Sequence, residues 1–146
     1  MSFLTVPTQA SALKIGGYMC INDRPCRIID KNTSKTGKHG GAKIHFVTTD
    51  IFTDNKYEYL EMSTKNIDAP NVSKEEYQLV DIDKDIVSYL DHSGQLMNDL
   101  FLPHLCKKDQ ELSQDLVTQF NTDKEIYITV ISAMGIREIK AFKVTD

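Results

Sequence analysis

Alternation limits the fold of this chain more than any other feature. The run Lys43 to Phe52 (KIHFVTTDIF) puts Ile44, Phe46 and Thr48 on one side and His45, Val47 and Thr49 on the other. β-Branched and aromatic residues repeating every second position suit a half-buried pleated surface, so the run predicts a strand. Similar runs recur between turn signals. Gly16-Gly17 opens Tyr18 to Ile21, Asn22-Asp23 turns the chain into Pro25 to Asp30, and Lys56 to Glu61 alternates after the polar Thr53-Asp54-Asn55. An irregular N-terminus followed by four or five short antiparallel strands closes most economically as a small barrel.

The stretch Asn66 to Ser73 (NIDAPNVS) has few strand formers and contains Pro70, so a junction is expected there, dividing the chain into domains 1–70 and 71–146. Beyond it, Tyr77 to Ile82, Ile86 to Asp91 and Gln95 to Leu102 read as strands, with a turn at His92-Ser93-Gly94. Leu112, Leu116, Val117 and Phe120 recur at helical spacing, which predicts one amphipathic helix over Lys108 to Phe120, packed on a sheet. Glu125 to Ala133 and Arg137 to Val144 complete the series around Met134-Gly135. Three strands, a helix and two strands is the order of a five-stranded OB barrel. The fold class is therefore all-β, with one short helix in the second domain.

The net charge of −4 conceals an asymmetry. Residues 1–70 carry nine Lys/Arg against seven Asp/Glu, and residues 71–146 carry eight against fourteen. Between Arg24 and Lys43, the cations Arg24, Arg27, Lys31, Lys35, Lys38 and Lys43 face only Asp30, a local field suited to a polyanion. No apolar run approaches the ~18 residues needed to span a bilayer, and MSFLTVPTQASALK lacks the marks of a secretory signal, so a cytoplasmic location without membrane contact is expected. Cys20, Cys26 and Cys106 read as reduced structural residues.

Within the basic stretch lies Asn32 to Ala42 (NTSKTGKHGGA), eleven residues with three glycines and no large apolar side chain. Between two strands it predicts an exposed hairpin tip with Lys38 at the apex, longer than a hairpin needs merely to reverse direction. A P-loop is excluded, because His39 follows Lys38, Asn32 stands where the first Gly belongs, and a strand comes next. The order Cys20, Cys26, His39, His45 lacks the spacing and the helix of a zinc finger. Neither clustered carboxylates nor a nucleophile elbow accompanies His39, so no enzyme is predicted. A basic tip that touches RNA phosphate is the reading these eliminations leave. A general single-strand RNA-binding OB module using Tyr77, Tyr89 and Tyr127 is the alternative, opposed by the acidic charge of the second half.

Five segments, TSKTGKHGGAK (Thr33 to Lys43), TTDIFTDNKYE (Thr48 to Glu58), DAPNV (Asp68 to Val72), EYQLVDI (Glu76 to Ile82) and ITVISAM (Ile128 to Met134), resemble the eukaryotic translation initiation factor 5A family, relatives of bacterial elongation factor P. The resemblance implies an N-terminal SH3-like barrel and a C-terminal OB domain. It implies that Lys38 receives an aminobutyl group from spermidine and becomes hypusine, with no bound cofactor. Ser34, Lys35, Thr36, Gly37, His39, Gly40 and Gly41 then form the modification and tRNA-facing loop, and Arg24, Arg27 and Lys43 are supporting basic contacts. The implied partners are the ribosome, at its E site, the P-site tRNA, deoxyhypusine synthase and deoxyhypusine hydroxylase, with a homodimer as an assembly the resemblance allows. The implied role is to ease elongation through stalling sequences such as consecutive prolines, and termination. Two positions depart from the family pattern, Gly41 in place of His and Asn32 in place of Ser, which leaves open an arm that stops at deoxyhypusine.

Overall fold

The structure, a computed structural model, describes residues 4–35 and 41–145. The chain divides into two compact units, Met1–Val72 and Ser73–Asp146. The first contains β1 (Thr5–Gln9), β2 (Tyr18–Ile21), β3 (Arg24–Lys35), β4 (Ala42–Asp50), β5 (Lys56–Met62) and β6 (Asn66–Pro70). The second contains β7 (Ser73–Asp83), β8 (Ile86–Leu90), β9 (Leu96–Phe101), α1 (Lys107–Phe120), β10 (Glu125–Ala133) and β11 (Ile136–Thr145).

In the first unit, β2-β3-β4-β5 form an antiparallel sheet, and β1 pairs with β6 as a two-stranded ribbon. The β2–β3 reversal uses Asn22 and Asp23 with φ of 50° and 61°, the left-handed pair that matches strand twist. Ile44, Phe46, Thr48 and Asp50 point inward from β4, where Phe46 and Ile44 meet Met19, Cys26 and Ile28 in a closed apolar core. The second unit is a five-stranded sheet in the order β11-β10-β7-β8-β9. Its core joins Tyr89, Val87, Ile126, Ile128, Val130 and Ile139, with Leu116 of α1 packed into it. The ends of this sheet meet through Arg137 of β11, which donates to Asp99 of β9 at 3.1 Å and to the Tyr89 hydroxyl at 3.2 Å. An SH3-like barrel and an OB barrel result, all-β apart from α1 and a short 3-10 turn at Ala10–Ala12.

Three segments differ from what the sequence predicts. Within the N-terminal stretch expected to be irregular, Thr5–Gln9 form β1, which pairs residue for residue with β6, from Thr5↔Pro70 to Gln9↔Asn66. The same pairing makes a strand of Asn66–Pro70, although the division between the units, after Val72, still falls within the stretch expected to hold it. Pro70 fits because it ends the ladder, where its missing N–H removes nothing. Finally, β3 continues to Lys35 and β4 starts at Ala42, so Asn32 to Lys35 belong to the ladder and not to the connection. Backbone pairing needs no buried side chain, which is why a polar composition concealed it.

Candidate functional site

The β3–β4 hairpin is rooted in a buried charge. Asp50, its side chain fully buried, accepts from Arg24 Nε at 2.7 Å and from the N–H groups of Phe52 and Thr53 at 2.8 and 3.1 Å. Burial pushes its carboxyl upward, but the Arg24 guanidinium and these N–H donors outweigh burial and hold it below the ordinary 3.8. Arg24 begins β3 and Asp50 ends β4, so one ion pair fastens both strands. Arg24, predicted as a supporting basic contact, makes this ion pair with about a third of its side chain still exposed. The signal for Asp50 was in the sequence: it continues the inward positions 44, 46 and 48, where a carboxylate requires a partner.

From the root, the ladder runs Arg27↔Thr49, is shifted by a bulge between Ile28 and Asp30, and continues through Asn32↔His45, Thr33↔Ile44 and Ser34↔Lys43 to Lys35↔Ala42. The last four residues of β3 are all exposed. Ser34 and Lys43 therefore share the outer side of the arm, beside His45, whose Nε2 lies 3.3 Å from Glu58. Arg27 faces the same way but stands about 20 Å back along the strand, at ~3.3 Å per residue. Lys35 is exposed on the other side. Lys31 is held inside the unit, donating to the carbonyls of Leu13 at 2.7 Å and Ser11 at 3.1 Å. Among the described residues of β3 and β4, Arg27, Lys35 and Lys43 are the exposed cations.

The end of the arm is braced from the side. β5 runs along β4 up to Lys43↔Met62, and Ser63 N–H then donates to the Ala42 carbonyl at 2.8 Å. Gly41 is exposed, yet a Cβ there would come within 3.1 Å of the Met62 methyl. Thr36, Gly37, Lys38, His39 and Gly40 lie outside the described residues. The last pair of the ladder described on either side of them is Lys35↔Ala42. Sequence reasoning missed Met62 and the neighbouring Glu61; only the cross-strand register shows that they stand opposite Lys43 and Ile44.

The chemistry available elsewhere is limited. Burial, reinforced by the nearby Asp68 carboxylate, pushes the Cys20 thiol up to about 11, so it is no nucleophile at neutral pH. Among the described residues no three His, Cys, Asp or Glu side chains gather to hold a metal, and no helix is long and apolar enough to cross a membrane. The tyrosines suggested as an RNA platform do not form one. Tyr89 is only 2% exposed and bonds to Asp99, Tyr77 packs against it with ring centroids 4.8 Å apart, and Tyr127 bonds to Glu125.

Comparison with known proteins places these features in a family. Residues 4–78 match the family model "Translation initiation factor 5A-like, N-terminal", and residues 71–143 match "Eukaryotic elongation factor 5A hypusine, DNA-binding OB fold". Eukaryotic translation initiation factor 5A-1 of Saccharomyces cerevisiae is 44% identical over 97% of this chain and 87% of its own length. The Trypanosoma brucei factor is 43% identical over 96% and 87%. Among solved structures, a translation initiation factor 5A family protein from Naegleria fowleri superposes with a TM-score of 0.92 at 41% identity, covering 96% of this chain and 99% of its own. Eukaryotic translation initiation factor 5A from Methanococcus jannaschii gives 0.74 at 25% identity, covering 98% of this chain and 98% of its own.

Proposed function

The chain belongs to the eukaryotic translation initiation factor 5A family, a family of translation factors and not of enzymes, and from that membership we propose that it acts on the ribosome through a hypusinated Lys38. Lys38 takes an aminobutyl group from spermidine, delivered by deoxyhypusine synthase, and hydroxylation by deoxyhypusine hydroxylase completes the arm. The lengthened side chain stays cationic, gains donors and remains thin enough for a crevice in RNA that a folded domain cannot enter. Bound at the E site, the factor lays this arm along the acceptor end of the P-site tRNA. It helps the ribosome through consecutive prolines and termination by restricting the orientations of a reacting group, an entropic contribution to a reaction the ribosome catalyses.

One observation carries the reading: an in-register ladder extends past the apolar core to Lys35↔Ala42, and the six residues it leaves between these strands contain a single lysine, Lys38. In this division of labour domain 1–70 bears the modified lysine with Ser34, Lys35, Thr36, Gly37, His39, Gly40 and Gly41 around it, while Arg27 and Lys43 help to hold the factor on RNA.

Mass analysis of the peptide spanning Lys38, from the cytoplasm of native cells, tests the proposal. Addition of an aminobutyl or hydroxylated aminobutyl group at Lys38 is the expected result, and an unmodified lysine throughout overturns it. Lys38→Arg keeps a positive charge but cannot accept the arm. Cells that depend on that variant should fail to grow, while its thermal midpoint matches the parent.

A further inference from the structure

Strand register gathers the exposed apolar side chains of the second unit on one surface. Val87 and Tyr89 of β8 and Leu100 of β9 are buried in the core, so alternation turns Ile86, Ser88 and Leu90 from one strand, and Leu96 and Phe101 from the other, toward the outside. Ile86 lies directly opposite Phe101, and Leu90 opposite Leu96. Ile86, Phe101 and Leu96 are between 41% and 59% exposed, while Leu90 is half-buried. On the adjoining β7, a bulge between Leu79 and Asp81 leaves Val80 and Asp81 both exposed, and Asp83 stands opposite Ile86. A single exposed leucine is ordinary, but apolar residues paired across two strands form a patch.

The charges around the patch select what can cover it. In OB barrels the outer face of the second and third strands is where oligonucleotides lie, and here those strands are β8 and β9. A phosphate backbone needs cations along its track. Residues 78–83, 86–90 and 96–101 contain no Lys, Arg or His. They present Asp81 and Asp83 instead, whose carboxylates have neither a hydrogen bond nor an ion pair among the described residues. Other carboxylates of the unit are already engaged, Glu76 by Lys143, Asp99 by Arg137 and Asp109 by Lys140. This face therefore repels a polyanion and has two carboxylates open to a cation.

From this arrangement we infer that the outer face of β7, β8 and β9 is a docking surface for a cationic, partly apolar segment of another protein. The pairs Ile86–Phe101 and Leu90–Leu96 receive apolar side chains, and Asp81, opposite Ser88 midway between them, receives a Lys or Arg. Ile86 and Leu90 stand about 13 Å apart at ~3.3 Å per residue, the span of positions i and i+4 in an extended partner. Such a partner places its cation at i+2, on the same side as its two apolar residues. The proposal is independent of any modification at Lys38.

The probe is a capped synthetic peptide, Leu-Thr-Lys-Thr-Leu-Thr-Lys-Thr-Leu, titrated into the full chain and followed through backbone amide NMR signals. It should bind at least about tenfold more tightly than the same peptide with Glu for Lys or with Ser for Leu, and shift signals chiefly in residues 80–90 and 96–101. Phe101→Ser should weaken binding about tenfold, and Asp81→Asn together with Asp83→Asn about threefold. The second variant leaves both apolar pairs intact, so it decides the matter if the first perturbs the strand pairing. Equal affinity for the peptide lacking Leu would mean attraction by net charge alone and overturns the proposal, as do absence of binding, shifts centred elsewhere, or affinities that neither variant changes. Oligothymidylate shifting the same signals would return the face to nucleic acid. Self-association of the parent in sedimentation equilibrium, lost in Phe101→Ser, would give it to a second copy of the chain. Either result overturns the proposal.

Discussion

Two hairpins of the same length class end very differently. The β10–β11 hairpin pairs all the way to Ala133↔Ile136 and reverses through Met134 and Gly135, with φ of 53° and 78°. Ala133 beside that turn is still buried. The β3–β4 hairpin leaves the core earlier, keeps its ladder through four exposed residues, and needs six more to return. Each has a bulge, between Thr129 and Val130 in one and between Ile28 and Asp30 in the other, so regularity does not separate them. Their roots do. Arg24 and Asp50 staple the first with an ion pair whose carboxylate is buried, while the second begins at Glu125↔Thr145, where an exposed hydroxyl donates to the Glu125 carbonyl at 3.3 Å. A connection that only reverses the chain contracts to two residues. The connection that contains Lys38 is longer, follows a polar ladder, and that ladder is fastened where it begins.

Exchanging the ends breaks this comparison most directly. Replacing residues 36–41 by Asn-Gly gives β3–β4 the tight turn of β10–β11 and shortens the loop to be closed on folding. The thermal midpoint should not fall, and modification should vanish completely, read by melting and by mass analysis. A destabilised product would show that the long connection serves the fold.

The second test acts at the root. Arg24→Ala leaves a buried carboxylate with only its two N–H donors. Because the guanidinium is one-third exposed and water can partly replace it, the expected loss is about 2 kcal/mol, below that of a fully buried pair. The pH dependence follows from the direction of the Asp50 shift. A carboxyl held below 3.8 contributes stability that is present above that pH and is lost as pH falls through its folded value. In the variant, burial is less opposed, so acid loss should begin at higher pH in urea melts. In the other unit the sign reverses at Glu138, which burial raises above 4.5 against the nearby His104 and Lys140, so its contribution is lost as pH rises through the folded value. Acidification from neutral pH should therefore favour Glu138 in its unit before it begins to weaken the Arg24–Asp50 root.

What the sequence disclosed follows from range. Tyr18 to Ile21, the Asn22-Asp23 turn, the inward face of Lys43 to Asp50 and the α1 stripe were all legible, because neighbouring residues determine them. β1 and β6 were hidden because their partners lie about sixty positions apart and Pro7 and Pro70 argue locally against strands. The position of the lysine between two strands was legible from glycines and composition alone. Where the ladder stopped was not, since Asn32 to Lys35 pair by backbone without burying anything. Arg24 could not be told from Arg27 by charge; only the inward Asp50 distinguishes them.

A smaller effect is expected at the tight turn. Gly135 has φ of 78° with open space where a Cβ would go, so Gly135→Ala meets strain but no collision. It should cost about 1 kcal/mol in equilibrium unfolding and leave modification of Lys38 untouched. A change in modification would show that the two hairpins are coupled.

The smallest effect compares one lysine from each hairpin. Lys143 of β11 is engaged within its own unit, 2.9 Å from Glu76 and 5.8 Å from the Tyr127 ring centre. Lys43 is exposed on the outer side of the β3–β4 arm, opposite Ser34. If the arm meets RNA, Lys43 releases a counterion on binding and Lys143 does not. Lys43→Ala should weaken ribosome binding about threefold and flatten its dependence on salt by about one unit of slope, while Lys143→Ala leaves both unchanged. Sedimentation at two salt concentrations measures this. Equal responses from the two lysines would mean that the arm has no privileged contact with RNA, because a general attraction to the polyanion weakens alike whichever charge is removed.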